Sequence, residues 1–244
     1  GASDSRGFFA RQSEVNLSGG FGTVRLGNFF PESYYATADY VSMHNHDTGN
    51  SSDAFYAYVM PMANQIAYRT PSFGGLTIDA AVSLHEAPTG TSGKNAFDLA
   101  ANYNLGALAL GAGYSKQGDV NQFAARALYT FGAFTVGGYV QRDEDAFVAN
   151  GGKRNTFRLA GAYNMGASEF HVNVGRAGEY KNTPDSDATQ YTVGYNYNLS
   201  KRTKVYGYYT RINNSRAGTY GFNQVPVGAG VDSNTLAVGI RHNF

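Results

Sequence analysis

His44-Asn45-His46-Asp47 is the run in this 244-residue chain whose residue types come nearest to metal chemistry, because a His-x-His-Asp segment can open a hydrolytic zinc site. No further His or carboxylate stands at ligand spacing around it, and His85, His171 and His242 fall in separate segments. So short a motif has little specificity, and a polar loop segment is the better reading. Asp143, Glu144 and Asp145, with Asp185 and Asp187, offer paired carboxylates near segment ends. Hydration suits such acids better than catalysis. The Gly-x-Ser-x-Gly nucleophile pattern is absent, and no helix follows Gly74-Gly75 or Gly151-Gly152, which read as turns and not as phosphate cradles. With no cysteine, thiol catalysis and disulfides are excluded. The residues therefore predict no enzyme, metal site or cofactor. Arg126, Arg158 and Arg241 each alternate with apolar neighbours. An unpaired charge in a dry interior is costly, so water is expected to reach them.

The elements that position these arginines alternate every second residue. Between Thr189 and Leu199, Tyr191, Val193, Tyr195, Tyr197 and Leu199 take one phase and Thr192, Gly194, Asn196 and Asn198 the other. A strand of this kind has one greasy and one wet face, and a closed sheet of them predicts a transmembrane antiparallel β-barrel. Composition agrees: 31 Gly, 19 Tyr, 16 Phe and only 15% charged residues, far from the usual soluble surface. The net charge of +1 lacks the concentrated basic face that nucleic acid requires. No stretch reaches the ~20 mainly apolar residues of a spanning helix, so a membrane reading requires strands. A soluble sandwich is the rival, but its outward face would carry many Lys and Glu.

Strands are predicted near 10–18, 22–30, 64–71, 75–86, 94–105, 108–117, 122–131, 134–143, 154–165, 168–180, 188–199, 203–214 and 233–244. Tight turns such as Gly106-Ala107, Gly132-Ala133 and Gly166-Ala167 alternate with longer polar loops, as on the two sides of an outer-membrane barrel. The predicted lipid-facing set includes Ile78, Leu99, Phe157, Leu159 and Tyr163, and the lumen set Asp79, Asp98, Asn102 and Arg158. Tyr103, Tyr129, Tyr163 and Tyr197 lie near short turns, where an aromatic girdle belongs. In 205–212 both phases carry aromatics; Tyr206, Tyr208 and Ile212 are expected outside, with Arg211 in the lumen. The stretch from about 31 to 62 is too long and too rich in aromatics, with Tyr34, Tyr35, Tyr40, Phe55, Tyr56 and Tyr58, for a solvated disordered loop, and is expected to pack on the lumen wall.

The run Glu14-Val15-Asn16-Leu17-Ser18-Gly19-Gly20-Phe21-Gly22-Thr23-Val24-Arg25-Leu26-Gly27, the long loop, the segment Tyr68-Arg69-Thr70-Pro71-Ser72-Phe73-Gly74-Gly75 and the final Phe244 resemble Gram-negative general diffusion porins of the β-proteobacterial type. The resemblance implies a single barrel domain of roughly sixteen strands, a homotrimer in outer-membrane lipid and lipopolysaccharide, and passive diffusion of small hydrophilic solutes and ions. It also implies that residues 31–62 fold inward as a constriction loop. Glu32, Asp39, Asp47 and Asp53 are then the loop acids, facing the wall arginines Arg11, Arg25, Arg69, Arg126, Arg158, Arg211 and Arg241. Phe244 resembles the assembly signal. Matching the long loop to the family's third external loop leaves the chain about three strands short at its N-terminus. Asn28 and Pro61 stand where the family commonly has arginines, so anion preference does not carry over. A tyrosine-lined, substrate-specific channel is the alternative, and an outer-membrane hydrolase the more distant one.

Overall fold

Three Gly-Ala pairs set the spacing of the wall. Gly106, Gly132 and Gly166 take positive φ of 56°, 56° and 60° at the first position of two-residue turns, a geometry open to glycine that matches the twist of paired strands. Each fixes a hairpin in register: Leu105 opposite Leu108, Phe131 opposite Phe134, Met165 opposite Ser168. The computed structural model describes residues 12–38, 41, 53–61, 63–88 and 93–243. Arg11, Asp39, Asp47, the His44–Asp47 run and Phe244 lie outside them.

Among the described residues, thirteen strands form one antiparallel sheet in chain order. They are β1 (Ser13–Gly19), β2 (Gly22–Asn28), β3 (Gln65–Arg69), β4 (Leu76–Ser83), β5 (Ala96–Leu105), β6 (Leu108–Gln117), β7 (Val120–Phe131), β8 (Phe134–Glu144), β9 (Lys153–Met165), β10 (Ser168–Ala177), β11 (Ala188–Asn198), β12 (Thr203–Asn214) and β13 (Ser233–His242). Each predicted strand is present. One short helix, α1 (Glu32–Thr37), lies in the long connection between β2 and β3 and was not foreseen.

The two faces separate as the alternation requires. Leu99, Leu159, Val172, Leu236 and Val238 are exposed on the outward face, while Asp98, Gln122, Gln141, Thr156, Gln190 and Thr192 are buried on the inward one. That inversion, with apolar side chains outside and amides inside, suits a wall between lipid and water. Toward the short turns Phe131, Phe134, Tyr163, Phe170 and Tyr195 form a continuous outward row, with ring centroids 5.5, 4.6, 6.4 and 5.2 Å apart. This is the girdle expected at a membrane interface.

Strand β12 corrects one expectation. Asn196, Gly194, Thr192 and Gln190 on β11 sit opposite Tyr206, Tyr208, Thr210 and Ile212, so those tyrosines and Ile212 face inward, buried, and Arg211 faces outward beside Tyr191. The greasy-face rule fails here because this part of the inner wall is covered by protein instead of water. No helix among the described residues is long and apolar enough to cross a membrane.

Placing a cation at mid-band on the outward face tests this orientation. Leu159→Arg is expected to lower unfolding stability in lipid vesicles by about 2–4 kcal/mol in a urea titration. A change below about 0.5 kcal/mol, the range of an ordinary water-exposed site, would contradict lipid contact there.

Candidate functional site

The floor of the site is a patch of small side chains on the inward face. Ala100, Ala124, Ala160, Ala177 and Ala188 are buried there, and Gly111, Gly113 and Gly175 share their phase. A Cβ added at Gly111 would lie 1.8 Å from the Ala36 carbonyl oxygen, and one at Gly113 2.6 Å from Ser33 Cβ. The wall is thinned where the long connection crosses it. Tyr56 and Val41 pack with Ala38, Ala124, Tyr139 and Ala160 in one cluster, and Phe55 with Ala54, Ala177, Ala188, Ile212 and Tyr220 in another.

Helix α1 borrows its cap from the wall. Pro31 precedes it and supplies no side-chain acceptor. Asp98 of β5 instead accepts the Ser33 backbone N–H at 3.0 Å, together with the hydroxyls of Ser33 and of Ser115, the latter at 2.6 Å. A carboxylate at a helix start is favoured by the partial positive charge of the free N–H groups. Glu32, in the first turn, bridges two wall arginines: it pairs with Arg25, and Arg69 Nη2 reaches its Oε2 at 2.6 Å. Each arginine holds a second acid, Glu14 at 2.7 Å for Arg25 and Asp79 at 2.6 Å for Arg69. The charges thus form a chain, Glu14–Arg25–Glu32–Arg69–Asp79, whose first four members border a 380 Å³ cavity that Phe30 and Tyr35 also line. Beyond α1, Arg126 donates to the Tyr35 carbonyl at 3.3 Å.

A second anchor lies across the wall. Arg158, fully buried, donates to Asp53 and to Gln190 at 2.7 and 2.9 Å and to Asn173 at 2.5 Å. Tyr139 donates its hydroxyl to the other Asp53 oxygen at 2.6 Å. The expectation that water bathes Arg158 is therefore corrected: residues 53–57 cover it, and Asp53 supplies the compensating charge. Side-chain amides take over the loop backbone as strands would. Ala54 N–H donates to Gln190 at 3.1 Å, while Ala57 exchanges two bonds with Gln141, at 2.7 and 3.1 Å.

Above this, Arg154 gathers the longer loops. It pairs with Asp143 at 2.7 Å, donates to the Phe55 carbonyl at 2.8 Å and to Tyr220 at 2.7 Å, and lies against the rings of Phe147, Tyr180 and Tyr220. Tyr180 donates to Asp143 at 2.5 Å. Burial raises both phenols above the ordinary tyrosine value against the opposing pull of Arg154, so both stay neutral in this packing. Asp143, read from sequence as an exposed rim acid, is in fact fully buried on the inward face, because alternation within β8 turns it in.

Of the sequence-predicted residues, Glu32, Asp53, Arg25, Arg69, Arg126 and Arg158 converge on this loop and wall. Arg241 is on the inward phase but next to Lys204 at the short-turn end, away from it. Arg211 belongs to the outward face and leaves the set. Sequence reasoning placed Asp79 and Asp98 on the lumen face without giving them a part in holding the loop, read Asp143 as a rim acid, and missed the amides Gln141 and Gln190, although their inward phase was readable. Asn28 and Pro61 serve the loop's backbone: Asn28 accepts from the Asn64 N–H at 3.2 Å, and Pro61 from Gln65 at 2.8 Å. Among the described residues no group of three or more His, Cys, Asp or Glu is placed to hold a metal.

A strand wall with an inward-folded, charge-anchored loop defines a channel-forming outer-membrane barrel. The family model for Gram-negative porins matches residues 1–219, and the chain belongs to that family. It is 31% identical to outer membrane porin protein 32 of Delftia acidovorans, over 97% of this chain and 74% of that protein. Outer membrane protein U of Vibrio parahaemolyticus is 25% identical over 99% of this chain and 72% of its own length. The solved anion-selective porin from Comamonas acidovorans superposes with a TM-score of 0.77 at 26% identity, covering 97% of this chain and 78% of that one. The protein is an outer-membrane β-barrel channel through which small hydrophilic solutes and ions diffuse passively.

Two substitutions probe the docking. Arg158→Ala leaves Asp53 buried without its cation and is expected to weaken loop docking by about 3–5 kcal/mol, seen as rapid chymotrypsin cleavage at Tyr56 or Tyr58 in the intact barrel. Gly113→Val pushes α1 off the wall toward the channel axis and should lower single-channel conductance; an unchanged conductance would mean that α1 does not border the current path.

Proposed function

We propose that residues 31–62 set the width of the channel and that Glu32 and Asp53, facing Arg25, Arg69 and Arg158, shape the field across it. The observation that carries this reading is the double attachment of one segment, through Glu32 at one end and Asp53 at the other, to arginines on separate parts of the inner wall. A passing ion in a narrow, poorly screened slot gains or loses Coulomb energy according to the side it follows. No bond is made or broken in the process; transport is diffusion down a gradient.

The relative's name records anion selectivity, whereas the wall cations of this chain are largely paired. Arg25 and Arg69 each hold two carboxylates, and Asp98 adds a wall charge bonded to hydroxyl and amide donors. We infer that anion preference does not carry over to this chain. The whole chain is read as one barrel domain, assembled as a homotrimer in the outer membrane. The closed wall is read as the porin type of roughly sixteen strands, to which the thirteen among the described residues belong.

The test is ion permeability of the full-length protein in planar bilayers. Glu32→Gln removes the acid shared by Arg25 and Arg69, and the chloride-to-potassium permeability ratio should rise by about threefold in a salt gradient. An unmoved reversal potential would overturn the role given to Glu32.

A further inference from the structure

A segment lying flat on a one-layer wall is covered by that wall on one side only, yet residues 53–57 are closed on both. Asp53, Ala54, Phe55, Tyr56 and Ala57 are each no more than 4% exposed. Gln141, Arg158 and Gln190 hold them from the wall side. Further contacts come from residues 215–232, the connection between β12 and β13. The Tyr220 ring meets that of Phe55 edge-on with centroids 5.1 Å apart, and Gln224 Nε2 donates to the Tyr56 carbonyl at 2.8 Å. Ala54, Tyr220, Gln224 and Pro226 share the lining of an 80 Å³ cavity at this junction.

The connection is built to reach them. Asn214, the last residue of β12, accepts the Tyr220 N–H at 3.0 Å and donates to the Tyr220 and Val231 carbonyls at 2.8 and 2.7 Å, which draws the two limbs together. Val227 N–H, bonded to the Thr219 carbonyl at 2.9 Å, closes the tip. At Gly221 a Cβ would lie 2.0 Å from the Val225 carbonyl oxygen, so the tip folds this tightly only with glycine there. Asn223 and Gln224 then take φ of 54° and 59°, a left-handed pair uncommon for residues with a side chain and kept where neighbouring contacts demand it. One such contact is the Gln224 bond to Tyr56. Another is Phe222, whose ring lies 6.3 Å from that of Tyr208 on the wall. Between and beyond these anchors Asn223, Val225 and Pro226 are exposed, Val225 at 64%.

We propose that residues 222–226 form a second lip of the channel, which lies over the docked segment and presents Asn223, Val225 and Pro226 to the passing solute, with Gln224 as the residue that positions the segment beneath. Residues 53–57 are too enclosed to meet solute themselves; the surface that does so at their level is the tip of the β12–β13 connection. The tip carries no charged side chain, so it narrows the passage without adding to the field of Glu32 and the wall arginines. The lip depends on the constriction reading of residues 31–62, part of which it covers, and adds the surface that meets solute there.

This chain has no cysteine, so an introduced thiol reports its own surroundings. Asn223→Cys and Val225→Cys, made in the full-length protein, are treated in planar bilayers with water-soluble methanethiosulfonates bearing an ethylsulfonate or an ethyltrimethylammonium group, and mass spectrometry confirms the adducts. Either adduct should lower single-channel conductance by about a third or more. Ala149→Cys, exposed in the connection between β8 and β9, should take the same reagents and keep its conductance. Adducts at 223 and 225 with unchanged conductance, thiols there that neither reagent reaches, or an equal fall from Ala149→Cys would each overturn the lip. Gln224→Glu keeps the size and removes the donor to Tyr56. In that variant the Ala57 amide should exchange about tenfold faster than in the wild type, and Gln224→Lys, which restores a donor, should slow it again. Equal exchange in all three would overturn the positioning role. A current blocked at Asn223 beside an unchanged conductance in Gly113→Val would count against the constriction by α1 and leave the lip standing, whereas the opposite pair would remove the lip and leave the constriction.

Discussion

An arginine with no access to water is tolerable only when something brings it a negative charge, and here Asp53 of the long connection between β2 and β3 does so. Arg158 is fully enclosed because residues 53–57 lie over it, and those residues lie there because Asp53 completes its charge. The pair also explains the neighbours. Asn173, Gln190 and Tyr139 fill the remaining hydrogen-bonding positions around it, and Gln141 and Gln190 hold the adjoining backbone. Small residues beneath, from Ala124 to Ala188, give the segment room. Two other arginines extend the same logic: Arg154 ties Phe55 to the outer loops, and Arg69 with Arg25 fixes Glu32.

Burial and exposure therefore carry different meanings on the two faces. Outside, large apolar side chains are exposed because their solvent is lipid, so their exposure is no defect of packing. Inside, part of the wall lines the channel and part is an ordinary protein core made by the loop. The apolar side chains of that core, Phe55, Tyr56, Ile212 and Val41, sit beside enclosed ion pairs. Both kinds of contact close over the same stretch, residues 53–57.

Most of the wall was legible in the sequence because a period of two is sensitive to a shift of a single residue, and Gly-Ala turns pin that phase. Where it failed, the physical reason is local. Tyr206, Tyr208 and Ile212 look like lipid-facing residues, yet they cover the inner core near Phe55 and Phe222; their size reflected burial under a loop, which no single strand reveals. The alternation in β8 already turned Asp143 inward, but its place beside a long loop suggested exposure. Glu32 and Asp53 could be named from family resemblance, whereas their partners depended on which arginines the register brings to loop height. Helix α1 had no readable start, since its capping carboxylate, Asp98, comes from 65 residues away.

The claim at the centre, that the segment from Asp53 to Pro61 is docked on the inner wall, is open to direct measurement in the unmodified protein. Amide hydrogen exchange of the full-length barrel in lipid vesicles should show the Ala54 and Ala57 N–H groups, bonded to Gln190 and Gln141, exchanging at least about 100-fold more slowly than an open loop would. Exchange of both amides at the rate of a solvated loop would contradict the docked constriction.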